Sequence, residues 1–553
     1  MKPTVLLLFA TALLARADGI DEFFDAYYFR FSPTAGTSAG FHQYDTRLED
    51  YSKNGVQQQI AAARHFESEF SKQPKSDDRD MILSRIRADL LSLESIRPWQ
   101  NDPDVYSGGI TNSVFTIMSR NFASQEDRLR SVIARERSIP QVFDAARANL
   151  QNPPRIYTEI ALEQLPGIVS FFQKDVPAAF NKVTDKKELA DFNRSNQAVI
   201  DALNRYQTFL KNDLLPRSKG SFPIGAENYR KKLLFEEMVD TPIDELLKIG
   251  FANLRDNQAS FRRVASQVDA KRTPADILHQ LEQDHPAPTN LLQTFRDTLG
   301  GLRDFIAQHN IVDIPSPVLP ILEETPPFMR ALTFASMDTP GPYEKVAKEA
   351  FFNVTLPEPA WSPQKVEEHM ASFNRGTIIS TAIHEAYPGH YVQFLWVQQA
   401  PSKVRKLLGA NSNAEGWAHY CEQMMLDQGY GNNDPKLRLG QLQDALLRNA
   451  RYIVGIQMHT GKMTFDQGVE FFIKEGYQVR ATAERETKRG TSDPTYLVYT
   501  LGKLEILKLR EDYRKLRGSQ FNLRQFHDDF LKQGFPPVRI IRRAMLGNDS
   551  PVL

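Results

Sequence analysis

The stretch Met81-Ile82-Leu83-Ser84-Arg85-Ile86-Arg87-Ala88-Asp89-Leu90-Leu91-Ser92-Leu93 sets the fold class. Met81, Leu83, Ile86, Leu90, Leu91 and Leu93 recur at helical spacing with charged residues between them, the pattern of a helix that buries one face and wets the other. The same pattern returns in many segments, so most of the chain reads as amphipathic helix. Pro and Gly clusters punctuate it at Arg97-Pro98, Ser107-Gly108-Gly109, Asn152-Pro153-Pro154, Pro286 to Pro288, Pro315 to Pro320 and Thr325-Pro326-Pro327, where loops between helices are expected. No fixed-period repeat is found, which disfavours a solenoid. One strand is expected, over Ala350 to Leu356 and stopped by Pro357, because the run is aromatic and β-branched. The expected architecture is therefore mainly α, a large irregular helical assembly with a small β element.

With 553 residues and 41% hydrophobic content, the chain can bury a large core. We expect residues 18–553 to form one helical domain, with the functional half at about 331–553. Lys and Arg total 68 and so do Asp and Glu. That balance leaves no net field to draw in nucleic acid or an anionic membrane, and favours a peptide or small-molecule partner.

The N-terminus has the charged, apolar and small-residue parts of a secretory signal: Lys2, then Val5 to Leu14, then Ala15-Arg16-Ala17. Cleavage is expected after Ala17, which makes residues 1–17 a signal peptide and the mature protein periplasmic or extracellular. The apolar run is shorter than the ~20 residues a membrane span needs. No later run reaches that length, so stable membrane insertion is not expected after cleavage. Cys421 is the only cysteine, which excludes an intramolecular disulfide and suits a core filler. No Cys follows the signal to carry a lipid.

The segment Thr381-Ala382-Ile383-His384-Glu385-Ala386-Tyr387-Pro388-Gly389-His390 places two imidazoles and a carboxylate within seven residues, ligand types suited to zinc. In a regular metallopeptidase helix the two histidines stand four apart and share a face. Here they are six apart, and six steps of about 100° leave them about 120° apart around an ideal helix. Pro388 and Gly389 supply the remedy, since proline breaks the helical bonding and glycine tolerates unusual backbone. A kink or bulge there would swing His390 back toward His384. A third ligand is available as Glu415 in Asn413-Ala414-Glu415-Gly416-Trp417-Ala418-His419-Tyr420. Two His and one Glu make a catalytic zinc set with one open position, and Glu385 beside the first His is placed to act as general base. His419, four residues after Glu415, is an alternative ligand, or else an outer support or surface histidine.

These two segments resemble those of the bacterial domain-of-unknown-function family 885, whose members carry His-Glu-Ala-Tyr-Pro-Gly-His followed by Glu-Gly-Trp-Ala, here residues 384–390 and 415–418. The resemblance extends through Arg448 to Gly461, including His459-Thr460-Gly461, and through Pro494 to Gly502, including Tyr499. It is weaker around Arg97 to Tyr106. Two departures are visible: Tyr391 stands where a second consecutive His is common, and Gly455 where an Asp is common. That family in turn resembles gluzincin metallopeptidases, mainly helical enzymes with a zinc-binding Glu on a second helix, which implies a deep cleft.

The activity so implied is an exported zinc hydrolase that cleaves peptide bonds with a metal-activated water. Tyr499 and His459 are the candidate donors to the developing oxyanion. Phe352 to Leu356 could lie along the cleft as an edge strand for the substrate backbone, or be a buried hairpin strand. The Arg-rich segments 508–510 and 539–543 alternate with apolar residues and read as solvated helix faces, not a nucleic-acid patch. Two rivals stay open: a zinc amidase or esterase acting on a non-peptide substrate, and a non-catalytic secreted metal-containing binding protein. Oligomeric state is not encoded in any recognisable signal.

Overall fold

The computed structural model describes residues 19–326, Arg330 and 333–553. The expected signal peptide, residues 1–17, lies outside the described residues. The described residues form two compact units: one from residue 19 to Ser221 together with Pro340–Lys348, the other within Phe222–Thr339 and Glu349–Leu553. The functional half expected at 331–553 belongs mostly to the second unit, which also takes in residues 222–330.

The first unit is a helical assembly built on α1 (Lys53–Lys72), α2 (Asp77–Leu90), α3 (Asp104–Met118), α4 (Gln125–Asn149) and α5 (Lys186–Phe209). Ser76 caps α2 by accepting from the Arg79 N–H, and Asp77, Asp78 and Asp80 fill its first turn, where the helix dipole favours negative charge. Met81, Leu83, Ile86, Leu90 and Leu91 are all buried, as their spacing predicts. Ser107-Gly108-Gly109 is not a loop: it lies inside α3. The glycine there answers to packing, since a Cβ on Gly109 would sit 2.5 Å from the Tyr51 hydroxyl.

The second unit is also helical, with one small sheet. Its main elements are α6 (Ile243–Val268), α7 (Leu291–His309), α8 (Arg375–Glu385), α9 (His390–Val397), α10 (Asn411–Asp427), α11 (Pro435–His459), α12 (Arg480–Ser492) and α13 (Val498–Arg517). Strands β1 (Ile321–Glu324), β2 (Ala335–Asp338) and β3 (Phe351–Val354) form a sheet in the order β1-β3-β2. The predicted strand is β3, but it is no edge. It pairs parallel with β1 and antiparallel with β2, and buries Phe352, Asn353 and Val354. β1 and β2 are the two edges instead.

Phe352 and Val354 share one core with Ile378 and Ile383 of α8 and Trp417 and Cys421 of α10. Among the described residues no helix is long and apolar enough to cross a membrane.

Two glycine crossings fix how the helices of this unit meet. A Cβ on Gly416 of α10 would lie 2.5 Å from the Gly502 backbone of α13, and one on Gly440 of α11 would lie 2.6 Å from the Gly376 backbone of α8. At both places backbone meets backbone, an approach that any larger side chain would block.

Candidate metal centre

α8 ends at Glu385 and α9 begins at His390, so the helix breaks between the two histidines. The Gly389 N–H reaches back six residues to the Ile383 carbonyl at 3.0 Å, and the Tyr387 N–H five residues to Ala382 at 3.2 Å. Glycine is required at 389, because a Cβ would fall 1.8 Å from the His384 carbonyl oxygen. The Trp417 indole N–H of α10 donates to the Pro388 carbonyl at 2.9 Å and fastens the break to the helix that carries Glu415. The kink expected from Pro388-Gly389 is present and does what the spacing demanded. The His384 and His390 rings stand edge to face, their centroids 4.8 Å apart.

One ligand atom from each of His384, His390 and Glu415 lies within 4.8 Å of the others. Glu415 Oε2 is 3.3 Å from His384 Nε2 and 3.4 Å from His390 Nε2. Neither contact has hydrogen-bond geometry, and this buried oxygen has no hydrogen-bond partner. Burial works to raise the Glu415 carboxyl, but the two imidazoles outweigh it and hold the group well below its ordinary range.

Glu385, next to His384, is pushed up by burial, against the pull of both histidines and of the Met337 backbone N–H of β2. Tyr499 of α13 lies near the centre, its ring stacked over His384 with centroids 6.4 Å apart. The Gly416–Gly502 crossing accounts for this position, since Glu415 and Tyr499 flank it on their respective helices.

His459 is not part of the cluster. It ends α11, eleven residues and roughly 16 Å along the helix axis from Arg448, which does touch the cluster. Its ring is fully buried, donates from Nε2 to the Gly490 carbonyl at 2.7 Å, and packs on Phe222 and Tyr229. Burial pushes it down to about 4, so it is a neutral core histidine. His419 also stays outside the converging triad, with its Nδ1 on Glu422 at 3.0 Å.

Glu422 was not singled out from the sequence, yet it organises the layer behind the ligands. It is fully buried and accepts from His384 Nδ1 at 2.7 Å, from His419, and from Arg448 at 3.0 Å. The available signal was its spacing: Glu415, His419 and Glu422 stand at i, i+4 and i+7 on one helix face. Arg448 is carried in from α11 by the second crossing, since it lies eight residues beyond Gly440 and His384 lies eight beyond Gly376.

The two departures also find physical reasons. Tyr391 is buried and donates to the Val318 carbonyl at 2.7 Å. A Cβ at Gly455 would press on the Tyr496 ring at 2.7 Å, so no acidic side chain fits there.

Residues 33–545 match the family described as bacterial protein of unknown function, DUF885. Two solved structures are similar over nearly the whole chain. One is of a candidate lipoprotein of unknown function from Shewanella oneidensis, with 28% identity and a TM-score of 0.80, covering 96% of this chain and 99% of that one. The other is of a candidate lipoprotein from Colwellia psychrerythraea, with 17% identity, a TM-score of 0.79, and coverage of 94% and 96%. At that identity the second likeness shows the fold alone. No curated protein matches the chain.

Proposed function

We propose that this chain, which belongs to the bacterial family of unknown function DUF885, is an exported zinc-dependent peptidase of gluzincin type, with His384, His390 and Glu415 as ligands and Glu385 as general base. The observation that carries the reading is the convergence of the three donors. Zinc bonds of about 2.0–2.2 Å at tetrahedral angles put neighbouring donors roughly 3.3–3.6 Å apart. The Glu415 oxygen stands 3.3 Å and 3.4 Å from the two imidazole nitrogens, buried and without a hydrogen bond of its own.

Bound in such a set, zinc supplies a water whose pKa falls to about 7 and polarises a carbonyl. The rest falls to the chain. Glu385 would take the proton of the attacking water and pass it to the leaving amine. His384, held by Glu422 through Nδ1, presents Nε2 in the tautomer a ligand needs. Tyr499, whose ring stacks on His384, would donate from its hydroxyl to the developing oxyanion. β2, an edge strand whose Met337 N–H reaches Glu385, is suited to align the substrate backbone.

Export rests on the N-terminal signal pattern and on the lipoprotein character given for the similar protein from Shewanella oneidensis. The test is metal analysis of the purified chain together with hydrolysis of a panel of peptides, amides and esters. One equivalent of zinc and chelator-sensitive cleavage of peptides is expected. Cleavage of esters or non-peptide amides alone would transfer the site to another acyl substrate, and bound metal without any hydrolysis would favour a binding protein.

A further inference from the structure

Tyr499 stands among arginines. The guanidinium carbons of Arg451, Arg448 and Arg489 lie 5.1, 5.6 and 5.9 Å from its ring centroid, and Arg489 also reaches its hydroxyl at 3.4 Å. Two of the three are committed elsewhere. Arg451 is buried and holds Glu486 through two hydrogen bonds of 2.7 and 3.0 Å, and Arg448 serves Glu422. Arg489 is different: its only ion pair among the described residues is with Asp493 at 3.2 Å, and these side chains are 41% and 38% exposed. A pair so open to water contributes little. Arg485, one turn earlier on α12, is exposed and rests on the Phe334 ring at 5.0 Å, just before β2.

Charge is not balanced on this wall. Burial works to raise Glu486, but Arg451, Arg489 and Arg485 together hold it below its ordinary range. Three guanidiniums thus bear on one buried carboxylate, and Asp493 offsets only one of the two that remain. Of these, Arg489 is the exposed one that reaches Tyr499, whose ring stacks on His384.

We propose that Arg489, flanked by Arg485, is a binding site for a substrate carboxylate, so that the site takes peptides bearing a carboxylate one or two residues beyond the scissile bond. This rests on the peptidase reading and names its substrate class. Each extended residue spans about 3.3–3.6 Å, so a chain lying at the metal centre and passing Tyr499 brings such a group to Arg489. Arginine suits the task because its planar fork grips a carboxylate with two parallel hydrogen bonds. The carboxylate could be the chain terminus, which would make the enzyme a carboxypeptidase, or an acidic side chain.

The experiment uses the zinc-loaded full chain and three probes: N-benzoyl-Ala-Phe-Leu, its C-terminal amide, and N-benzoyl-Ala-Phe-Glu amide. Terminal recognition predicts that the free acid is cleaved at least tenfold faster in kcat/KM than both amides. Side-chain recognition predicts that the Glu amide rises above the Leu amide. In Arg489→Met either advantage should shrink to within about threefold, and Arg489→Lys should restore part of it. Calorimetric binding of N-acetyl-leucine against N-acetyl-leucinamide, and of N-acetyl-glutamic acid α-amide with its side-chain carboxylate free, reads the same preference without turnover and in the parent protein. Equal binding and equal cleavage of charged and neutral probes would overturn the carboxylate site whatever the rate. A carboxylate preference in binding that disappears in Arg489→Met, with no cleavage of any probe, would sustain the carboxylate site and overturn the peptidase reading instead.

Discussion

His384 Nδ1 lies 2.7 Å from Glu422 Oε1, with both groups buried, so the ligand's orientation is set from behind by a carboxylate two turns beyond Glu415 on the same helix. Supporting carboxylates of this kind fix the ring and raise its basicity. Glu422→Gln is therefore expected to weaken zinc affinity by about 10–100-fold while the chain stays folded, as measured by competition with a chelator. Unchanged affinity would mean that the contact is merely structural.

The two carboxylates at the centre should separate by metal content. Glu415→Ala removes a ligand and is expected to give a zinc-poor protein. Glu385→Gln nearly preserves volume and should keep zinc but lose hydrolysis. A Glu385→Gln protein that cleaved at the parent rate would end the proposed mechanism.

Tyr499→Phe keeps the ring between His384 and the arginines and removes only the hydroxyl. If that hydroxyl donates to the oxyanion, kcat should fall by about 10²–10³ with zinc content and melting temperature unchanged. Steady-state kinetics beside metal analysis checks this.

Gly389→Ala should be among the most damaging single changes in the unit, since the new methyl would overlap the His384 carbonyl at 1.8 Å. A loss of about 3 kcal/mol or more is expected, seen as a lower urea midpoint, with zinc affinity falling too. Deleting Pro388 and Gly389 together would restore four-residue spacing to the histidines but pull α9 out of place, and activity should be lost. Full activity in that deletion would contradict the role of the break.

Two buried histidines set an acid limit on stability. Burial pushes both His459 and His527 down to about 4. His527 is satisfied as a neutral ring, donating from Nδ1 to the Ile311 carbonyl at 2.7 Å and accepting from the Tyr420 hydroxyl at 2.8 Å. Each folded-state pKa lies below the unfolded value near 6.5, so the unfolded chain binds more protons between the two. Their stabilisation is full above about pH 6.5 and is lost as pH falls toward 4, on the order of 3 kcal/mol for each. Urea unfolding across that range should show a shallower decline for His459→Leu than for the parent, even though the variant starts less stable.

Much of the site was legible because its chemistry is local. His384, Glu385 and His390 sit in one short motif, and the misfit between six-residue spacing and a helical turn already demanded a break at Pro388-Gly389. Glu415 was found because the required donor set lacked a carboxylate. The misses share a cause: each depends on what lies across a helix crossing. His459 carries the right side chain on the right helix but at the wrong distance along it, whereas Arg448 on that helix does reach the ligands. The strand at Phe351–Val354 was legible from composition, while its central place was not, because β1 and β2 are polar and short and announce no pairing. Ser107-Gly108-Gly109 looked like a turn because close packing and chain reversal select the same residue.

The contact between Gly416 and Gly502 also bears on how the chain can change length. Glu415 and Tyr499 are separated by 84 positions, yet their alignment is set where α10 and α13 touch and not by the path that joins them. Insertions or deletions in the exposed connections between these helices should therefore leave the spacing of ligand and donor intact. A one-residue slip within either helix at the crossing would rotate its functional side chain away by about 100°. The outer turns can therefore change without moving the centre, while the pair of glycines acts as the fixed pivot of the register.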